Sequence, residues 1–132
     1  MKKIVITIII SAFALVLIGT GVFFYLQTRP EKDYSFNYDP GTFFVTDIQE
    51  SRRLLKTDII IAMADSRELE FYLENNHRIR NTILFVLRNK DEEELMKANI
   101  EQLLNKELIS ELNREFDTGD FIQVYFNEFV IQ

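Results

Sequence analysis

Residues 4–26 form 23 consecutive positions without a charge, and that run constrains the fold more than any other feature. At about 1.5 Å per helical residue it covers a bilayer's hydrocarbon core of about 30 Å, so one membrane-spanning helix is predicted over 4–26. A cleaved signal peptide competes with this reading, because Lys2 and Lys3 give a positive start and Ala12-Phe13-Ala14 has the small-x-small form. Cleavage there would leave Leu15-Val16-Leu17-Ile18 as an apolar terminus, and a signal's apolar region usually spans only about 7 to 15 residues, which favours a retained anchor. Basic residues flanking a first span favour the cytoplasmic side, so residues 1–3 are expected in the cytoplasm and the C-terminal part outside. Within the span, Gly19-Thr20-Gly21, Ser11, Ala12 and Ala14 would permit close helix packing, although no GxxxG pair is present.

The remainder is long enough for one compact domain and little more. It holds 13 of the 15 basic residues and all 21 acidic ones, a net charge of minus eight. Such a surface argues against nucleic acid or anionic lipid as general partners. The chain has no cysteine, which excludes disulfides, thiol nucleophiles and thiolate metal sites and is compatible with an oxidising compartment.

Residues 27–39 contain Pro30, several charges and Asn37 and read as an extended juxtamembrane linker, with a reach of at most about 45 Å. Asp39-Pro40-Gly41 signals a turn that opens the domain proper, residues 40–132. Residues 42–48 read as a short strand, Gln49-Glu50-Ser51 as a polar turn, and residues 53–63 as the antiparallel partner, with Leu55, Thr57, Ile59, Ile61 and Met63 alternating along it. At Asp65 the period becomes helical. Asp65 with Glu68 reads as a capping box, followed by Leu69, Tyr72, Leu73, Ile79, Ile83, Val86 and Leu87 at helical intervals. Asp91 with Glu94 repeats the device ahead of an apolar ridge, Met96, Ile100, Leu104, Leu108, Leu112 and Phe116 with Leu103 beside it. Gly119 is placed to take the positive φ that ends this helix. The expected fold is α+β: a transmembrane helix, then a β-β-α-α-β domain in which a three-stranded antiparallel sheet carries two helices on one face. Phe43, Phe71, Phe85 and Phe116 are expected to fill the space between the layers.

The chain closes on GDFIQVYFNEFVIQ (119–132). Strict alternation puts Ile122, Val124, Phe126 and Val130 toward the core, and Gln123, Tyr125, Asn127 and Phe129 on the outer face. Aromatic rings with adaptable amides are the composition of a contact surface, so these four are the candidate partner interface. The alternative is that residues 34–38 cover them. Glu128 interrupts the apolar face. An unpaired charge there is costly, so a bulge near Asn127 or a basic partner is expected. Arg52, Arg53, Arg78 and Arg80, with Glu128, are the candidate charge-pairing residues, within the domain or onto a neighbour.

Catalytic signals are sparse. His77 is the only histidine and reads as a helix-surface residue, since a zinc site needs more ligands. Asp91-Glu92-Glu93-Glu94 suits the first turn of a helix, where the dipole favours acids, and the spacing of a calcium loop is absent. There is no glycine-rich phosphate loop and no nucleophile elbow. No catalytic group, cofactor or metal is expected.

Four stretches, GTFFVTDI (41–48), RLLK (53–56), IRNTILFVL (79–87) and VYFNEFVIQ (124–132), together with the short start and single span, resemble the FliL family of flagellar basal-body-associated proteins. The ending is the most specific part, and Asp47 departs from the asparagine common in the family's T-N-L stretch. The resemblance implies a single-pass protein of the bacterial cytoplasmic membrane whose outer domain is similar to the stomatin-type (SPFH) fold. It also implies rings or partial rings around the ion-driven stator units of the flagellar motor, supporting motility or swarming. Neighbouring domains would then meet head to tail through acidic and basic surfaces, with the arginines clustered at one edge. Two other classes remain open: a membrane-anchored scaffold of another envelope complex, and a sensor with a ligand pocket between sheet and helices.

Overall fold

The computed structural model describes residues 1–27, 36–65 and 67–132. They fall into two units, residues 1–31 and 32–132. The first is one helix, α1 (Lys2–Gln27), 26 residues long. Its Ser11 and Thr20 hydroxyls donate back to the carbonyls of Ile8 and Val16 at 3.0 and 2.9 Å, so neither polar group depends on an outside partner. Counted over the described residues alone, no helix is long and apolar enough to cross a membrane. The uncharged run of the sequence lies inside α1.

The second unit is an α+β domain with an antiparallel sheet. Its strands are β1 (Phe36–Tyr38), β2 (Phe44–Asp47), β3 (Leu54–Met63) and β4 (Phe121–Ile131), and its helices α2 (Leu69–Glu74), α3 (Asn76–Arg88), α4 (Glu92–Leu95) and α5 (Ile100–Phe116). β3 is central. β1 and β2 share one of its edges, pairing at residues 61–63 and 54–57, while β4 runs the length of the other. The alternation read from the sequence is what buries it: Leu55, Thr57, Ile59, Ile61 and Met63 are each 0% exposed. Ile79, Ile83, Leu104, Leu108 and Leu112 cover that face from α3 and α5.

Several expectations are corrected. The sheet has four strands, because Phe36–Tyr38, read as linker, forms β1. β1 lies on the edge of β3 away from β4, so these residues do not cover the outer face of β4; residues 34 and 35 lie outside those described. Each predicted helix is broken. The first starts at Leu69 and divides at Asn75, and Asp65 forms no capping box but accepts from Arg67 N at 2.9 Å. The second divides into α4 and α5, which leaves Met96 and Leu103 66% and 43% exposed while the ridge from Ile100 to Leu112 is buried. The capping box of Asp91 and Glu94 does form, with Glu94 N donating to Asp91 Oδ1 at 2.8 Å. The left-handed residue that closes α5 is Asp117 (φ 50°) rather than a glycine two positions on. Phe43, Phe71 and Phe85 are exposed, and Phe44 and Phe121 take the buried places instead.

Two tyrosines fasten the sheet to the helices. Tyr38 Oη donates to Asn76 Oδ1 at 2.9 Å, and Asn76 Nδ2 donates to Pro40 O at 3.0 Å. Pro40 leads into Gly41, whose φ of 99° needs glycine, with Asp39 Oδ1 accepting from its N–H. Tyr72 Oη donates to Asp120 Oδ2 at 3.0 Å and its ring meets Phe116 and Phe121 edge-on. Burial, and then the hydrogen bond to Asp120, push the Tyr72 phenol up to about 12, against an opposing effect from Thr118. Burial raises Tyr38 as well, with help from Asp39.

Leu104→Ala is expected to lower the unfolding free energy by about 2 to 5 kcal/mol, and Met96→Ala by less than about 0.5 kcal/mol. Urea denaturation of the two variants separates a buried ridge from an exposed flank. A folded-state phenol pKa above its unfolded value contributes stability that is complete below the ordinary value of 10 and is lost as pH rises through about 12. The wild-type thermal midpoint should therefore fall over that window, and Tyr72→Phe should flatten the fall.

Candidate functional site: the outer face and edge of the last strand

Two breaks in the ladder decide what β4 presents. The register passes from Asp58↔Glu128 to Ile59↔Phe126, which leaves Asn127 bulged, and from Ala62↔Gln123 to Met63↔Phe121, which leaves Ile122 bulged. Each bulge reverses the alternation beyond it. Phe121, Val124, Phe126, Phe129 and Ile131 therefore share the core side, and Val130 is turned outward, 38% exposed.

The four candidate interface residues are divided by this. Gln123 and Tyr125 are exposed on the outer face. Asn127 is exposed at the bulge, where Nδ2 donates to Asp58 Oδ2 at 3.2 Å. Phe129 is corrected to the core side, its ring 5.8 Å from that of Phe126 in edge-to-face contact. In place of Phe129 the outer face gains Val45, Leu54 and Val130, all exposed. Val45, Lys56 and Val130 are direct cross-strand neighbours. A period-2 reading of the sequence misses Val130 because it carries no allowance for the bulge.

Asp58 and Glu128 stand directly opposite each other, a like-charge pairing that destabilises a sheet. The local answer is a division of partners. Asn127 serves Asp58, while Lys56 Nζ reaches Glu128 Oε1 at 3.1 Å and sits 3.9 Å from the centre of the Phe43 ring. Glu128 thus has both the neighbouring bulge and the basic partner that its position demands.

The arginines serve three separate parts of the domain rather than one basic edge. Arg53 pairs with Glu92 at 2.8 Å and donates to Ile131 O at 3.1 Å. Glu92 also accepts from Ser51, and these two hydrogen bonds hold its carboxyl below the usual range. Arg78 pairs with Glu115 at 2.8 Å and lies over Phe116. Arg80 donates to the carbonyls of Pro40 and Thr42 and stacks on Phe44. Arg52 is exposed.

Sequence reasoning passed over two amides. Asn105 Oδ1 accepts from Val124 N at 2.7 Å, and Asn113 accepts from Phe121 N and donates to Phe121 O at 3.1 and 2.8 Å. Their signal was the eight-residue spacing along α5, which puts two amides on one side of an apolar helix. Beside Asn105, an open cleft of about 430 Å³ runs between Glu101 and Gln102 of α5 and Gln123 to Asn127 of β4. His77 is exposed on α3. Among the described residues every buried side-chain nitrogen and oxygen has a hydrogen-bond partner, and no three His, Asp or Glu side chains are grouped to hold a metal.

The geometry defines a two-layer α+β domain whose distinctive chemistry lies on an exposed sheet face and a strand edge. Residues 38–132 match the family described as flagellar basal body-associated protein FliL, and the chain belongs to that family. No curated protein matches the chain.

Lys56→Met is expected to cost about 1 kcal/mol in low salt by leaving Asp58 and Glu128 opposed, and less as salt rises. Adding Glu128→Gln should recover part of the loss, so the double-mutant cycle should give a non-zero coupling.

Proposed function

We propose that this chain is a non-enzymatic membrane-anchored scaffold of the flagellar motor, which oligomerises as a ring or partial ring around the ion-driven stator units and supports them in motility or swarming. The observation that carries the reading is the family match over residues 38–132, which covers nearly all of the folded domain. The anchor rests on the uncharged run of 23 residues inside one continuous helix. Lys2 and Lys3 at its start support the proposed single-pass topology in the bacterial cytoplasmic membrane, N-terminus inside and domain outside. A similarity of the domain to the stomatin-type fold belongs to the same proposal.

A head-to-tail contact is not free to use Arg53, Arg78 or Arg80, which are engaged within their own domain. Among the described residues, Arg52, Arg88, Lys97 and Lys106 have no internal ion pair, and they are the cations left for subunit contacts in a domain rich in unpaired acids. The outer face around Tyr125, Val130 and Val45 supplies an apolar surface for a neighbour or for the stator.

Mild crosslinking in membranes of motile cells carrying a tagged copy tests the proposal. Capture of the protein itself together with stator subunits is the expected result. Capture of neither, in cells shown to swim, overturns it.

A further inference from the structure

We infer that the free edge of β4 receives an extended, basic peptide segment of another protein as an added strand. This rests on the backbone of the domain and not on the motor role.

The ladder fixes which groups of β4 face away from β3. Leu54 and Gln132 exchange two hydrogen bonds, at 2.7 and 3.0 Å. In an antiparallel pair such bonded positions alternate, so the N–H and C=O groups of Ile131 and Phe129 point outward. Val124 N points outward too, since it reaches Asn105, and Phe126, two residues on, follows. These outward groups have two different fates. Toward the start of β4 they are met by Asn113 at Phe121 and by Asn105 at Val124. Toward the end, Arg53 caps Ile131 O. Between these caps, among the described residues, Phe126 and Phe129 have no partner for their outward N–H and C=O groups, and Ile131 has none for its N–H.

Exposed edges are usually blunted by lysine or proline. β4 contains neither, and its one charge, Glu128, is held by Lys56. The bulge at Asn127 is the single blunting device in this half of the strand. The cleft of about 430 Å³ continues the open edge toward α5, giving side chains of an added strand a place to lie. Its one charged lining residue is Glu101, and the chain beyond residue 26 carries a net charge of minus eight. A second copy would bring the same negative charge to this edge, whereas a segment bearing lysine or arginine is drawn to it.

The test uses the full chain in nanodiscs of zwitterionic lipid, with amide hydrogen exchange resolved at Phe126, Phe129 and Ile131. The probe is a synthetic decapeptide of alternating lysine and valine; an acidic analogue with glutamate for lysine and an analogue N-methylated at alternate residues are the controls. We expect the three amides to exchange freely without peptide and to slow at least tenfold with the basic probe only. Equal slowing with the N-methylated analogue would show contact without strand addition and overturn the inference. Slowing that depends on protein concentration in the absence of peptide would make a second copy the occupant and overturn it as well. No slowing with the basic probe at millimolar concentration would do the same.

Discussion

Leu55, Thr57, Ile59, Ile61 and Met63 leave water completely, and the neighbouring elements are placed by the need to cover them. The strand that carries them pairs with β4 along one edge and with β2 and β1 at the two ends of the other, while α3 and α5 close over one face. Thr57 shows how tightly the arrangement is specified. It is the polar member of the row, and its hydroxyl donates to Glu128 O at 2.7 Å, beside the bulge at Asn127. A buried hydroxyl without that acceptor would cost free energy of about 1 to 3 kcal/mol, so the irregularity of β4 and the regularity of β3 are linked.

Much of the architecture was legible because it rests on periodicity. The alternation along β3, the helical spacing of Ile79, Ile83, Val86 and Leu87, and the capping box of Asp91 each map onto what formed. The candidate site was legible only in part, because its layout depends on where the ladder skips a residue. The bulge at Asn127 exchanges the roles of Phe129 and Val130, and the one at Ile122 brings Phe121 to the core side; strict alternation carries neither skip. β1 is three residues long, too short to show a period. Asn105 and Asn113 look like ordinary helix residues until the strand whose edge they cap is in place beside them.

The polar contacts of the domain fall mainly at the junctions between elements. Glu92, at the start of α4, gathers Ser51 and Arg53 from the turn before β3, and Arg53 in turn holds the last carbonyl of β4. Arg80 joins α3 to the loop ahead of β2, and Tyr72 joins α2 to the residue before β4. These side chains are thereby engaged in fixing the relative positions of elements.

The chain enters the folded domain through β1, which runs antiparallel along the β3 edge at residues 61–63. Tension applied along that strand from the N-terminal side would load its hydrogen bonds in shear, so that they give way together instead of opening one at a time. The hydroxyl of Tyr38, bonded to Asn76 at the end of β1, adds a side-chain latch to that short seam. β1 is thus joined to the domain more like a lap joint than a zipper, and a steady pull on its N-terminal end would be shared by the sheet and the helix behind it.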